Sequence, residues 1–286
     1  MSQRAAVLGH PISHSKSPAL HRAAYAKLGV DMAYSAIDVT VPSLPAFMAS
    51  VREEAGWRGL SVTMPLKSAM VAEVDEVRGV AGILGVVNTV AFETDGATVR
   101  RIGYNTDVAG IVNAVRYAGV APAPSAVVLG GGGTAAAAIA ALKELGAPSA
   151  DVFVRNVSRA SEARAASAGV DLPIRVLPLS AAPPVMAAAD IVISTLPPLG
   201  ADTLAEELAT LREPTPGILL DVAYDPWPSR IASVWQRGGG TVVPGIEMLL
   251  YQAVEQVRLF TDLGGDVATE VIDVMCDAVG VPRRVF

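Results

Sequence analysis

SAVVLGGGGTAAAAIAALKELG, from Ser125 to Gly146, runs from a short apolar stretch through four glycines into an alanine-rich segment. That order predicts a strand, a tight turn and a helix, because branched apolar residues favour extended chain and alanine favours helix. Gly130, Gly131, Gly132, Gly133, Thr134 and Ala135 fit the G-x-G-x-x-G/A fingerprint of dinucleotide sites in the context it requires, directly after a strand and opening a helix. Glycines there let a pyrophosphate approach the backbone, and the helix N-terminus offers free N–H groups and a favourable dipole.

The next predicted strand selects between dinucleotides. An Asp or Glu about 20 residues beyond the fingerprint would hold a ribose 2′-hydroxyl, whereas Arg accommodates a 2′-phosphate. The chain there reads Val154-Arg155-Asn156-Val157-Ser158-Arg159, without an acid. Arg155, Asn156 and Arg159 therefore favour NADP over NAD.

Working outward, strands are predicted on the C-terminal side at DVFVR, IRVLP, DIVISTLP, ILLDVAY and TVVPG, with helical or irregular crossovers. This is the pattern of a doubly wound parallel sheet. On the N-terminal side, GVAPAPS reads as a Pro-rich linker, and before it strands near AAVLG, AYSAIDV and LSVTMP alternate with helices. Ser17-Pro18 predicts a helix start, with Ser as N-cap and Pro at the first helical position. Thr94-Asp95-Gly96, between VVNTVAFE and TVRRIGY, predicts a hairpin that adds antiparallel strands to the edge of the first sheet. From Ile246 the pattern is helical to the end, with no strand left to pair. The fold class is thus α/β with two domains. An N-terminal mixed α/β sheet forms the substrate domain, residues 1–117 completed by helices in 246–286. Residues 118–245 form a Rossmann-like dinucleotide-binding domain.

Composition narrows the function classes. The 286 residues carry 22 basic and 28 acidic side chains, a formal charge of −6, so the basic face that nucleic-acid binding needs is missing. Hydrophobic residues make up 51% but aromatics only 5%, a balance that favours helix-on-sheet packing. The single cysteine, Cys276, sits in an apolar run and excludes a disulfide framework or a Cys-based zinc site. The first residues, MSQRAAVLGHPISHS, lack the apolar core of a signal peptide. TAAAAIAAL from Thr134 falls short of the roughly 20 apolar residues that span a bilayer. The expectation is a cytoplasmic protein, monomer or homodimer, whose partner is a small-molecule substrate rather than nucleic acid or membrane. Of the 22 basic residues 18 are Arg and only Lys16, Lys27, Lys67 and Lys143 are Lys. A Lys at a motif position then hints at an exchangeable proton, since Arg stays protonated at any working pH.

His10, His14 and His21 fall close together, but their spacing matches no zinc pattern and no Cys, Asp or Glu accompanies them. No metal is expected. The segment that holds the first two, Gly9-His10-Pro11-Ile12-Ser13-His14-Ser15-Lys16-Ser17-Pro18, places hydroxyls at Ser15 and Ser17 beside a helix N-terminus, a cradle for a carboxylate.

The same segment resembles the shikimate dehydrogenase family, whose pattern G-x-P-I-x-H-S-x-S-P-x-x-H is matched from Gly9 to His21. Further family motifs follow in order. V-T-x-P-x-K is matched at Val62, Thr63, Pro65 and Lys67, G-x-V-N-T at Gly85, Val87, Asn88 and Thr89, and G-x-N-T-D at Gly103, Asn105, Thr106 and Asp107. D-x-x-Y-x-P is matched at Asp221, Tyr224 and Pro226, and G-x-x-M-L-x-x-Q at Gly245, Met248, Leu249 and Gln252. The resemblance implies reversible NADPH-dependent reduction of 3-dehydroshikimate to shikimate, a step towards aromatic amino acids. It implies that Ser15 and Ser17 hold the substrate carboxylate, helped by Tyr224. Thr63, Lys67, Asn88, Asp107 and Gln252 would line the ring hydroxyls, with Lys67 and Asp107 as the catalytic pair and Gly245 and Met248 beside the cofactor.

The chemistry agrees with those roles. Hydride addition to a ketone puts negative charge on its oxygen, so a cation that also donates a proton lowers the barrier twice. Lys can do both, and a neighbouring carboxylate keeps it charged and oriented. Two rival readings are an NAD-dependent quinate/shikimate dehydrogenase and a non-catalytic dinucleotide-binding sensor. The chain also departs from the family pattern. Ser61 stands where Asn is common, Arg22 where Asn is usual, and Ala136 where Arg often follows the glycine turn. Val154-Arg155-Asn156 replaces Asn-Arg-Thr, and Ser194-Thr195-Leu196 replaces Asn-Ala-Thr.

Overall fold

The computed structural model describes residues 3–96, 98–211 and 213–283. Expectations for the N-terminal pair 1–2, for Ala97 in the hairpin turn and for 284–286 at the end of the last helical stretch lie outside the described residues.

By internal packing the chain divides into two units. One comprises the described residues up to Thr106 together with those from Gln252, and the other is Asp107–Tyr251. The chain therefore leaves the first unit once and comes back to it.

The first unit contains β1 (Gln3–Gly9), α1 (Ser17–Leu28), β2 (Met32–Asp38), α2 (Leu44–Glu53), β3 (Trp57–Val62), β4 (Glu76–Val77), α3 (Val80–Leu84), β5 (Thr89–Asp95) and β6 (Thr98–Tyr104). Its six-stranded sheet has the order β2-β1-β3-β5-β6-β4. β1 pairs in parallel with β2 and β3, and β5 is antiparallel to both β3 and β6. Leu8, Leu60, Val62, Leu66, Met70 and Val90 belong to its core. The predicted hairpin forms as β5 and β6, with Asp95 opposite Thr98, but it is not the rim of the sheet. The two-residue β4 pairs in parallel outside β6, and charges gather there: Arg78 donates to Glu76 at 2.6 Å and to Glu93 at 2.8 Å. A very short, charged last strand blunts an edge that would otherwise recruit another chain.

The second unit runs α4 (Asp107–Tyr117), β7 (Ala126–Leu129), α5 (Gly133–Glu144), β8 (Ala150–Val154), α6 (Ser161–Val170), β9 (Ile174–Pro178), α7 (Ala182–Ala187), β10 (Ile191–Ser194), α8 (Asp202–Leu211), β11 (Ile218–Asp221), α9 (Arg230–Arg237) and β12 (Thr241–Pro244). Its sheet is parallel throughout, in the order β12-β11-β10-β7-β8-β9. Counted within the unit this is 6-5-4-1-2-3, the Rossmann arrangement with its switch point beside β7. Helices cover both faces, so strands such as AVVL in β7 and IVIS in β10 are buried along their length. α4 packs against α5, which puts it in this unit rather than before the Pro-rich stretch, now a connection inside the unit. α10 (Gly245–Phe260) carries the chain back to the first unit, and α11 (Thr269–Val279) packs on α1.

Among the described residues no helix is long and apolar enough to cross a membrane. Cys276 is buried and forms no disulfide.

Candidate functional site

In the first unit, two loops after neighbouring parallel strands lie against each other. The backbone N–H of His10 donates to the Met64 carbonyl at 3.1 Å, and that of Thr63 to Leu8 at 2.9 Å. A Cβ on Gly9 would come within 2.5 Å of Thr63 Cγ2 and 3.0 Å of the Met64 carbonyl oxygen. Glycine here lets the two motif loops close together, the Gly9–Pro18 segment on one side and Thr63–Lys67 on the other.

Ser15 and Ser17 are brought together, with the Ser17 N–H donating to Ser15 Oγ at 3.3 Å. Ser17 is not the N-cap expected from sequence. It is the first helical residue, and Lys16 takes the cap position with no cap hydrogen bond from its own side chain. Ser17 is buried at 3% exposure, in the first turn of a helix whose cap is the residue before it. His21, one turn on, faces the Ser17 carbonyl through Nδ1 at 2.9 Å. A carbonyl only accepts, so Nδ1 carries the proton. The ring stacks on Tyr34 at 4.0 Å, and burial lowers its pKa from 6.5 to about 4, against the opposing hydrogen bond to Ser17. His21 is therefore a neutral support beneath Ser17. His10 meets Asp38 at 2.7 Å on the surface, so the histidines are not gathered at one point.

Asn88, immediately before β5, is 2% exposed and sits in a polar wall. Its Oδ1 accepts from the Thr106 N–H at 2.7 Å and the Thr89 hydroxyl at 2.8 Å. Its Nδ2 donates to Thr106 Oγ1 at 3.0 Å and to Gln252 Oε1 at 3.4 Å. Thus two of the expected ring-lining residues, Asn88 and Gln252, meet. Thr63 is half-buried at the end of β3, and Lys67 is half-buried a few residues later. The Lys67 carbonyl accepts from the Val87 N–H at 3.0 Å, which ties the lysine's backbone to the residue preceding Asn88.

Behind this wall stand residues that sequence reading did not assign to the site. The Tyr34 hydroxyl donates to Ser61 Oγ at 2.6 Å, and Ser61 Oγ donates to Gln256 Oε1 at 2.7 Å. Gln256 Nε2 donates to Thr89 Oγ1 at 2.9 Å and to the Asn88 carbonyl at 3.3 Å. A second glutamine one helical turn after Gln252, in an apolar helix, was the available signal.

The second unit carries the other expected residues. Asp107 opens α4 and is 4% exposed, where an acid suits the positive end of the helix dipole. Tyr224 lies half-buried in the connection after β11, and Gly245 and Met248 are buried in the first turn of α10. Asp221 anchors the Tyr224 connection: it accepts from the Ser229 hydroxyl at 2.6 Å and the Ala223 N–H at 3.4 Å. Burial pushes its carboxyl up, opposed by the Ser229 bond.

Gly130 to Gly133 form the turn between β7 and α5. Gly130 has φ +113°, and a Cβ on it would lie 2.3 Å from Thr195 Oγ1. Gly132 is the N-cap of α5 and, as glycine, brings no side chain of its own to cap the first turn. Thr134 is half-buried, and Ala135 is fully buried, as close helix–strand packing requires. Beyond β8, Arg155 and Arg159 are exposed, and neither guanidinium has an ion-pair partner among the described residues. Nearby Arg175, by contrast, is paired with Asp151. Asn156 spends its side-chain oxygen locally, accepting from the Ser158 N–H at 3.0 Å and hydroxyl at 2.7 Å.

Residues 7–90 match the model of the shikimate dehydrogenase substrate binding domain. The chain is 38% identical over 266 residues to the shikimate dehydrogenase (NADP(+)) of Rubrobacter xylanophilus, covering 91% of each. The chain belongs to the shikimate dehydrogenase family. Its fold matches the Mycobacterium tuberculosis shikimate dehydrogenase with TM-score 0.83 at 36% identity, over 97% of this chain and 99% of that one. It also matches a Thermus thermophilus enzyme, solved in complex with NADP(H) and shikimate, with TM-score 0.77 at 31% identity over 96% and 99%. Against the shikimate dehydrogenase pattern, Ser61 is the departure that the structure explains. Its short hydroxyl fits between Tyr34 and Gln256 and bonds to both.

Proposed function

We propose that this chain is a shikimate dehydrogenase, reducing 3-dehydroshikimate reversibly to shikimate with NADPH. The observation that carries the reading is the buried wall of Asn88, Thr106 and Gln252, with Lys67 tied beside it through Val87. Apolar surroundings with a few fixed amide and hydroxyl groups suit a small polyhydroxylated ring.

The glycine turn fits the cofactor: Gly132 brings no side chain of its own to the N-terminus of α5, and a Cβ there would lie 3.7 Å from Glu162 Oε2. Gly130, Gly131, Gly132, Gly133 and the backbone of Thr134 and Ala135 would hold the pyrophosphate. Arg155 and Arg159, with Asn156 between, would hold the 2′-phosphate, and Met248 and Gly245 would sit near the nicotinamide. When bound, NADPH supplies the hydride. Ser15 and Ser17 donate to the substrate carboxylate, aided by Tyr224, and fix which way the ring faces. Thr63, Asn88 and Gln252 hold the ring hydroxyls. Lys67 stabilises the developing alkoxide and delivers a proton from Nζ to that oxygen, while the Asp107 carboxylate orients the ammonium. The chain works in the cytoplasm as a monomer or homodimer.

The test is kcat/KM from absorbance at 340 nm for shikimate and quinate, each with NADP and NAD. The shikimate and NADP pairing is expected to be highest. A preference for quinate with NAD overturns the substrate and cofactor assignment, and calorimetric cofactor binding without turnover makes the chain a sensor.

A further inference from the structure

Gln256 hydrogen-bonds Ser61, Thr89 and the Asn88 carbonyl, and through them it bears on a residue expected to meet substrate. The Asn88 main-chain carbonyl has no choice of role: it only accepts, so the Gln256 atom 3.3 Å from it is the amide nitrogen. The amide oxygen then faces Ser61 and accepts its proton at 2.7 Å. Ser61 in turn receives the Tyr34 proton at 2.6 Å. On the other side, the Gln256 nitrogen donates to Thr89 Oγ1 at 2.9 Å, and of the two oxygens beside that hydroxyl, Thr106 Oγ1 at 3.2 Å and Asn88 Oδ1 at 2.8 Å, the nearer takes its proton. The Thr106 N–H reaches the same Oδ1 at 2.7 Å. With two donors on its oxygen, the Asn88 amide cannot flip, and its nitrogen stays on the side of Thr106 Oγ1 and Gln252 Oε1.

Every member of this chain is nearly out of water. Gln256 is 1% exposed, Thr89 0%, Asn88 2%, Ser61 3% and Tyr34 1%. An amide flip there would set oxygen against oxygen with no solvent to relieve it, so donor polarity propagates faithfully along the chain.

We infer that Gln256 is a positioning residue which, acting through Thr89 alongside the Thr106 N–H, fixes the Asn88 amide with its nitrogen towards Thr106 Oγ1 and Gln252 Oε1, and so holds the set of side chains expected to meet the ring hydroxyls of the substrate. Ser61 and Tyr34 hold Gln256 in the orientation this requires. The inference rests on the proposed dehydrogenase reading.

Gln256→Met keeps volume and helix propensity but removes both polar atoms, and Thr89→Val removes the relay at constant shape. Each is expected to raise the KM for shikimate about 5- to 20-fold with kcat nearly unchanged, as loss of uniform binding does, and to leave the KM for NADP alone. The double variant is expected to be no worse than either single one, because both break the same relay. With the two substrate analogues that each lack one of the two non-reacting ring hydroxyls, the effect should vanish for one of them. Ser61→Ala provides a milder break if Gln256→Met fails to fold. An unchanged shikimate KM, additive effects in the double variant, or an equal loss with both analogues overturns the inference. A wild-type chain inactive on shikimate overturns the functional reading instead.

Discussion

Lys67 is one of four lysines against eighteen arginines, and its prediction follows from the difference between the two side chains. Lys67→Ala should lower kcat roughly 10²-fold or more, the size of a lost general acid. Lys67→Arg keeps the charge but cannot release a proton, so it should stay within about tenfold of the alanine variant. Near-normal turnover in Lys67→Arg would make charge alone the role of this residue. His21 carries a stability prediction. Its folded pKa is about 4 against an ordinary 6.5, chiefly because of burial. Between those values the unfolded chain binds a proton that the folded chain does not, so stability falls as pH drops. From pH 7 to pH 5 the loss should be about 2 kcal/mol. Urea midpoints read it, and His21→Phe should flatten that acid limb. An unaltered limb in His21→Phe would assign the acid sensitivity to other groups.

Elements were legible where sequence pattern and local physics agree. In α5 the glycines, the alanine run and the fingerprint all state the same turn and helix, and the structure has them. Gly130→Ala tests that turn. The substitution must hold φ near +113° and place a methyl group 2.3 Å from Thr195 Oγ1. A cost of about 1–3 kcal/mol is expected, together with at least a tenfold weaker NADP titration. Unchanged cofactor affinity would remove this turn from the cofactor site. Elements were misread where a distant partner decides. Ser17 looks like an N-cap, but it is buried as the first helical residue and Lys16 takes the cap. The hairpin looks like a sheet edge, but β4 has only two residues and no periodicity to detect.

For the whole molecule, the return of the chain to the first unit has a direct consequence. α11 packs on α1, and a Cβ on Gly59 would fall 2.1 Å from the Phe260 ring, so the core of the first unit is closed by residues from the far end of the sequence. A chain ending at Tyr251 should keep 107–251 resistant to limited proteolysis and lose protection of the segment before Thr106. Equal protection of both segments would show that the first unit closes without its C-terminal helices.

What the sequence by itself determined is local: the strand, glycine turn and helix from Ser125, the parallel second sheet, the serine pair at Ser15 and Ser17, and the motif residues around Lys67 and Asn88. These follow from spacing and side-chain chemistry within short windows. The tertiary structure alone decided that α4 belongs with the second unit, that Ser17 is a buried helical residue rather than the cap, and that Tyr34, Ser61, Gln256 and Thr89 join into one hydrogen-bonded chain behind Asn88. Those outcomes depend on contacts such as that of Ser61 with Gln256, 195 residues apart, where burial makes each donor's choice depend on the next and no local pattern records it.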